Sequence, residues 1–181
     1  TPPLVAGGRV FALSADRTVT AFDAASGQRL WQLQRSSDPL VLGQAGVLMA
    51  VGDTLVVGVG GRLLGLNPLN GASRWEAPVA VSRGTNEVER LVDLVAGVSR
   101  LQNYLCVRSF QAAVACVDAS KGTMVWNKPA AGTTGLGGDA EYVFGTEADS
   151  KLVAWSRAVS KNIKTASSMY SMLVGELVRV D

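Results

Sequence analysis

"AFDAASGQRLW" at residues 21–31 returns as "GLNPLNGASRW" at 65–75 and as "CVDASKGTMVW" at 116–126. In each copy an Asp or Asn stands four residues before a Gly, and the Gly stands four before a Trp. Such self-similarity marks a repeat architecture and has to be read before any single motif. The residues leading into each copy stack as well: "RVFALSADRTVTAFD" from 9, "DTLVVGVGGRLLGLN" from 53 and "YLCVRSFQAAVACVD" from 104. A fourth line, "YVFGTEADSKLVAWS" from 142, carries Ser156 in the acidic position but no Gly and Trp after it. Every line reads as two short β-runs around a polar or glycine-containing turn, the signature of a hairpin.

Upstream of the hairpins lies an apolar run with a tight turn at Gly, in "LVAGGRVFA", "MAVGDTLVVG" and, near the end, "LVGELVRV" at 173–180. Successive tryptophans are 44 and 51 residues apart, a spacing that suits a four-stranded propeller blade. No stretch keeps apolar residues at i, i+3 and i+4 for three turns, so a helical repeat does not fit. The expected fold is therefore all-β, a partial β-propeller of about four four-stranded antiparallel blades forming one domain over 1–181. The blade units fall at 3–33, 39–77, 91–128 and 133–158, with 159–181 as the start of a further unit or an irregular tail.

The repeat residues have physical roles. Asp23, Asn67 and Asp118 bond their own backbone to open a turn between the third and fourth strands. Gly27, Gly71 and Gly122 take the left-handed conformation that closes it. Trp31, Trp75 and Trp126 end the outer strands, where an indole can fill the wedge between neighbouring sheets. Trp155 occupies a different repeat position.

Composition removes several function classes. Seventeen basic residues face fifteen acidic ones, and charged residues are only 18% of the chain, so there is no basic face for nucleic acid. The absence of histidine rules out Ser-His-Asp and Cys-His catalysis and any His-ligated metal on these residues. The longest apolar stretch, starting at Pro39, is interrupted by Gln44, Asp53 and repeated glycines, unlike a membrane helix. "GLGGDA" at 135–140 imitates a dinucleotide fingerprint, but the strand-like "EYVFG" follows where a helix should begin, so an inter-strand turn is expected. Asp139, Glu141, Glu147 and Asp149 lack the spacing of a calcium loop.

In the stacked hairpins Cys106 aligns with Phe11, Leu55 and Phe144, while Cys116 aligns with Ala21, Gly65 and Ala154. If the hairpins are symmetric, each large residue opposes a small one, and the third unit replaces that pair by Cys106 and Cys116. Opposed residues on antiparallel strands are close enough for a disulfide. Two buried thiols would fill the space equally well.

The A-x-D-x-x-x-G-x-x-x-W pattern resembles the PQQ-like, tryptophan-docking propeller repeat. "PLVLGQAG" (39–46) and "RGTNEVERLVDL" (83–94) narrow the resemblance to the BamB family of outer-membrane β-barrel assembly factors. That family consists of eight-bladed rings, which implies that these residues make about half of one. The resemblance implies a non-enzymatic periplasmic scaffold, without cofactor, that docks on the periplasmic domains of BamA and assists unfolded outer-membrane proteins. It implies membrane attachment only through a lipid anchor outside these residues, and an oxidising compartment, which favours a Cys106–Cys116 disulfide. The partner-contacting positions it points to are Leu40, Leu42, Arg90 and Asp93. Gly43 stands where the family's first loop usually has Arg, and Val95 where the second often has an acid. The alternative carried by the same repeat is a quinoprotein-like dehydrogenase or sensor domain, which would need a calcium site, an aromatic floor and commonly adjacent cysteines.

Overall fold

Short strands organise the described residues into four sheets, each formed by four strands in chain order. The computed structural model describes residues 1–34, 43–81 and 92–157, together with the backbone of 164–165. Blade 1 holds β1 (Leu4–Ala6), β2 (Arg9–Leu13), β3 (Val19–Asp23) and β4 (Arg29–Leu33). Blade 2 holds β5 (Leu48–Val51), β6 (Thr54–Val59), β7 (Arg62–Leu66) and β8 (Ser73–Pro78). Blade 3 is β9 (Leu94–Leu101), β10 (Tyr104–Ser109), β11 (Ala113–Asp118) and β12 (Thr123–Pro129). Blade 4 is β13 (Gly137–Gly138), β14 (Tyr142–Thr146), β15 (Leu152–Ser156) and β16 (Lys164–Thr165). Every neighbouring pair is antiparallel; β1 approaches β5 and β9 approaches β13, while between blades 2 and 3 it is β6 that approaches β9. The architecture is the all-β partial propeller that the repeat implies.

The hydrophobic core lies between the sheets. Phe11, Leu13 and Ala21 of blade 1 pack against Leu55, Val57, Leu64 and Leu66 of blade 2. Val56 and Leu63 of blade 2 meet Leu105, Val107, Ala115 and Val117 of blade 3. Cys106, Cys116 and Trp126 of blade 3 meet Val143, Val153 and Trp155 of blade 4. Each blade thus buries alternate residues on both faces, the sandwich logic repeated along a line.

Particular readings change at this level. The register opposes Phe11 to Ala21, Cys106 to Cys116 and Phe144 to Ala154, but in blade 2 Val56, rather than Leu55, opposes Gly65. Blade 2 closes its hairpin with the two residues Gly60 and Gly61, and this tighter turn shifts the pairing by one position. The tryptophans sit inside their strands rather than at the ends, because β4, β8 and β12 each run on past the indole. The fourth blade reaches beyond 158: Lys164 and Thr165, in the stretch read as a further unit or tail, pair with Ala154 and Val153 as its fourth strand. Without that strand the backbone of β15 would keep a free edge. "GLGGDA" divides into β13 and a turn in which Asp139 Oδ1 accepts from the amides of Glu141 and Tyr142.

The signature turns form at one end of the blades. Asp23 Oδ1 accepts from the Ser26 amide and hydroxyl at 2.7 Å each, Asn67 Oδ1 from the Leu69 amide at 2.9 Å, and Asp118 Oδ1 from the Ser120 amide at 2.9 Å. Gly27, Gly71 and Gly122 follow with φ of 71°, 75° and 70°, a region that disfavours any residue with a β-carbon. Bonds from the Ser26 and Ser120 side chains hold the carboxyls of Asp23 and Asp118 below the usual carboxylate range. A depressed folded value means that this stabilisation is complete above the unfolded value, about 3.9, and fades as pH falls through the folded one. Asp23→Asn with Asp118→Asn keeps the acceptor, as Asn67 does natively, and is expected to flatten the loss of stability below about pH 4. Urea unfolding across pH 2–6, compared with the parent, checks this; parallel profiles would contradict it.

Candidate functional site

Because each sheet runs up and down in chain order, the signature turns share one end of the blades, and the connections between blades share the other. At the connecting end, the turn from β2 to β3 is closed by Arg17 N donating to Ser14 O and by Asp16, whose carboxylate accepts from the Thr18 amide and hydroxyl. Arg17 adopts φ 62°, an uncommon conformation for a residue with a side chain. It sends its guanidinium across the end of blade 2, where Nη1 lies 3.9 Å from the position a β-carbon on Gly60 would take. Arg17 Nη2 then meets Asp93 Oδ1 at 2.6 Å, with both side chains about nine-tenths buried. Blade 1 is thereby ion-paired to the residue that leads into blade 3.

Backbone bonds fix the same region. Leu94 N donates to Gly60 O at 3.0 Å, Ala96 N to Ala45 O at 2.8 Å and Phe110 N to Asp93 O at 2.9 Å. Together they frame an open pocket of about 190 Å³, lined by Ser14, Arg17, Gly43, Gln44, Asp93 and Val95 among others. Gly43 and Gln44 are exposed, and a β-carbon on Gly43 would meet nothing within 4 Å among the described residues. The pocket is thus open at the exposed Gly43 and Gln44, with the buried Arg17–Asp93 ion pair in its lining.

The positions expected to contact a partner are distributed unevenly. Asp93 lines the pocket and is buried there against Arg17. Leu40, Leu42 and Arg90 lie outside the described residues. The two departures, Gly43 and Val95, line this same pocket, although Val95 is itself buried at the start of β9.

A second buried ion pair joins blades 3 and 4. Arg108, with a side chain at 0% exposure, donates through Nη2 to Glu147 Oε1 at 2.9 Å and through Nη1 to Thr146 O at 2.6 Å. Its guanidinium carbon stands 5.5 Å from the Trp155 ring centre. Burial pulls the guanidinium pKa down, and the Glu147 carboxylate opposes that shift. Glycines at 132 and 145 leave the space it fills, since a β-carbon on either would collide with the guanidinium. Repeat reasoning missed Arg17 and Arg108. "YLCVRSF" did carry a signal for Arg108, a charge two residues from Cys106 and so on the same inward face; a turn arginine such as Arg17 carries none.

Cys106 and Cys116 oppose each other in β10 and β11 with Cα atoms 4.0 Å apart, and their sulfurs are joined. Arg157 Nη1 lies 3.4 Å from Cys106 Sγ and Nη2 donates to Ser99 Oγ at 2.6 Å. Protein recovered from an oxidising compartment is expected to yield a non-reduced peptide linking the two cysteines. Two freely alkylated thiols in folded protein would rule that out. Among the described residues, no three Asp, Glu or Cys side chains gather closely enough to hold a metal ion, and the cysteines lie on separate strands. Among the described residues, Cys106 and Cys116 are cross-strand partners and are not adjacent in sequence.

A family model for outer membrane protein assembly factor BamB matches residues 1–166. The outer membrane protein assembly factor BamB of Bordetella pertussis (strain Tohama I) is 31% identical over 191 residues, covering 99% of this chain and 48% of that protein. Among solved structures, BamB from Moraxella catarrhalis superposes with a TM-score of 0.82 at 23% identity, over 91% of this chain and 50% of that one. The quinohemoprotein alcohol dehydrogenase from Comamonas testosteroni gives a TM-score of 0.67 at 14% identity, over 90% of this chain and 34% of that enzyme. At these identities the structural likenesses concern the fold alone. This chain spans about half the length of both BamB proteins.

Proposed function

The chain belongs to the family of the outer membrane protein assembly factor BamB, and from that membership we propose that it is part of a non-enzymatic docking scaffold for outer-membrane protein assembly. The scaffold works on the periplasmic side of the outer membrane, with the periplasmic domains of BamA as its partner and unfolded outer-membrane proteins as the cargo it helps to deliver. The observation that carries this reading is the meeting of Gly43 and Gln44 from one blade connection with Asp93 from the next at a single open pocket. Docking requires shape and a polar rim, not a nucleophile or metal. The Arg17–Asp93 pair holds that shape by tying blade 1 to blade 3 across blade 2. Fold likeness to a quinohemoprotein enzyme does not by itself carry its activity.

Gly43 gives the cleanest test, because the space around it is open and a long side chain can be added without disturbing the blades. Gly43→Arg is expected to tighten binding to BamA periplasmic domains and to steepen its salt dependence, whereas Gln44→Trp is expected to weaken it by obstructing the pocket. Calorimetric titration at low and high salt reads both effects. Unchanged binding in both variants would take the pocket out of the interface. Val95→Asp and Asp93→Ala are less informative: the first puts a carboxylate into a buried strand and the second removes the carboxylate from buried Arg17, so each perturbs folding.

A further inference from the structure

Blade 3 departs from the repeat at one cross-strand pair, and blade 4 departs from it at the residue that faces that pair. The pair is Phe11–Ala21 in blade 1, Val56–Gly65 in blade 2 and Phe144–Ala154 in blade 4, but Cys106–Cys116 in blade 3. Both cysteines are buried on the face of blade 3 that packs against Val143, Val153 and Trp155 of blade 4. The residue following the repeat's Asp, Asn or Ser position is Ala24, Pro68 and Ala119 in the first three blades, and Arg157 in blade 4. Its carbonyl keeps a repeat role: Pro68 O accepts from the Trp31 indole at 3.0 Å, and Arg157 O from the Trp126 indole at 3.2 Å. Its side chain reaches back into blade 3.

Arg157 Nη1 donates to Cys106 Sγ at 3.4 Å, Nη2 to Ser99 Oγ at 2.6 Å and Nε to Asp139 O at 2.7 Å. All three acceptors are uncharged, and Arg157 forms no ion pair among the described residues. The Asp139 carboxylate bonds instead to the amides of Glu141 and Tyr142. Gly138 leaves room for the guanidinium, since a β-carbon there would stand 2.9 Å from Nη2. Burial lowers the Arg157 pKa, and the charge of Asp139 opposes that shift. A cation is thus partly stripped of water with no carboxylate bonded to it. Arg108, two residues beyond Cys106 on the same face of β10, is by contrast neutralised by Glu147. Among the acceptors of Arg157, the one that can become an anion is Cys106 Sγ, once the disulfide is reduced. We propose that Cys106–Cys116 is a reversible thiol–disulfide exchange site for small thiol reductants, in which Arg157 positions Cys106 as the leaving thiolate.

A first reductant thiolate bonds Cys116 Sγ, the Cys106–Cys116 bond breaks, and Cys106 leaves with the electron pair beside Arg157. A second reductant thiolate bonds the first reductant sulfur, and Cys116 leaves and takes a proton. The reductant is oxidised to its disulfide; of the two protons its thiols lose, one goes to Cys116 and one to solvent. Because both sulfurs are buried, opening of the junction between blades 3 and 4 sets the rate. Arg157 sets the equilibrium and the sulfur that leaves, since a stabilised thiolate favours the reduced pair. Reduction therefore replaces a covalent bond inside blade 3 by an ion pair between blades 3 and 4.

The test equilibrates the whole chain with reduced and oxidised glutathione at about pH 8, starting from either redox state. Acid quenching followed by alkylation under unfolding conditions reads the reduced fraction. Arg157→Gln is expected to raise the ratio of reduced glutathione squared to oxidised glutathione at half reduction by at least about tenfold. Arg157→Lys, which keeps a cation, is expected to recover part of that shift. Single-cysteine chains read the thiolate directly and do not hang on the folding of an Arg157 variant. With Cys116→Ser, the ultraviolet thiolate absorbance of Cys106 is expected to titrate below the ordinary value of about 8.5. With Cys106→Ser, burial is expected to hold the Cys116 thiol at or above that value. An unchanged half-reduction ratio in folded Arg157→Gln would overturn the proposal, as would a Cys106 thiol that titrates no lower than that of Cys116.

Discussion

Trp126→Ala is expected to lower stability by about 3–5 kcal/mol, the range for removing a large aromatic from a packed site. Trp126 is 8% exposed, packs with Cys106, Val143 and Trp155, and bonds Arg157 O in the next blade. Trp31→Ala is expected to fall in the same range, since its ring covers Gly71 and stands 6.0 Å from that of Phe11. Substitution by Phe separates the three tryptophans. Trp31→Phe and Trp126→Phe each lose an indole bond across the blade junction, worth about 1 kcal/mol beyond the change in packing. Trp75 differs, because its Nε1 is buried without an acceptor among the described residues. Its indole lies over Gly65, where the absent β-carbon admits it. Trp75→Phe should therefore be the mildest of the three. Urea midpoints order the variants, and a Trp75→Phe loss equal to the others would refute the distinction.

Glu147→Ala should cost a comparable amount, about 3–5 kcal/mol, because it leaves the wholly buried Arg108 guanidinium without its carboxylate. Glu147 also accepts from the Ala131 amide, so the same substitution releases the connection into blade 4. Replacing both partners by apolar residues, Arg108→Met with Glu147→Leu, is expected to recover much of the loss, since neither charge is then buried. The double-mutant cycle measures the coupling directly. Additive single and double losses would mean that the pair does not act as a unit. Gly132→Ala probes the same joint from the other side: its β-carbon would strike both the guanidinium and the Thr146 carbonyl.

Much of the fold was legible because each blade is assembled from local signals. The run from Asp23 to Trp31 specifies a turn by side-chain bonding, a left-handed residue and a strand, and repetition turns one such reading into four sheets. The third turn from first to second strand escaped this reading because Gln102, at φ 53°, stands where Gly7 and Gly52 stand in the first two blades. The last strand of blade 4 escaped because no Gly or Trp announces it. The candidate site was less legible. Its loops could be assigned to one end of the blades by counting strands, but nothing local says that Arg17 should reach Asp93, 76 residues away.

By itself the sequence determined the blade count, the signature turns and the opposition of Cys106 to Cys116, because each depends on neighbours along one chain or across one hairpin. Tertiary structure decided what the tryptophans are for. A glycine at 71 or 122 reads locally as a turn residue needing positive φ, yet each is also the floor on which the preceding blade's indole rests. Tertiary structure likewise decided which charges are buried and which partners neutralise them. These contacts join residues whose separation is set by how sheets stack, and stacking is fixed by packing complementarity between faces rather than by any local pattern.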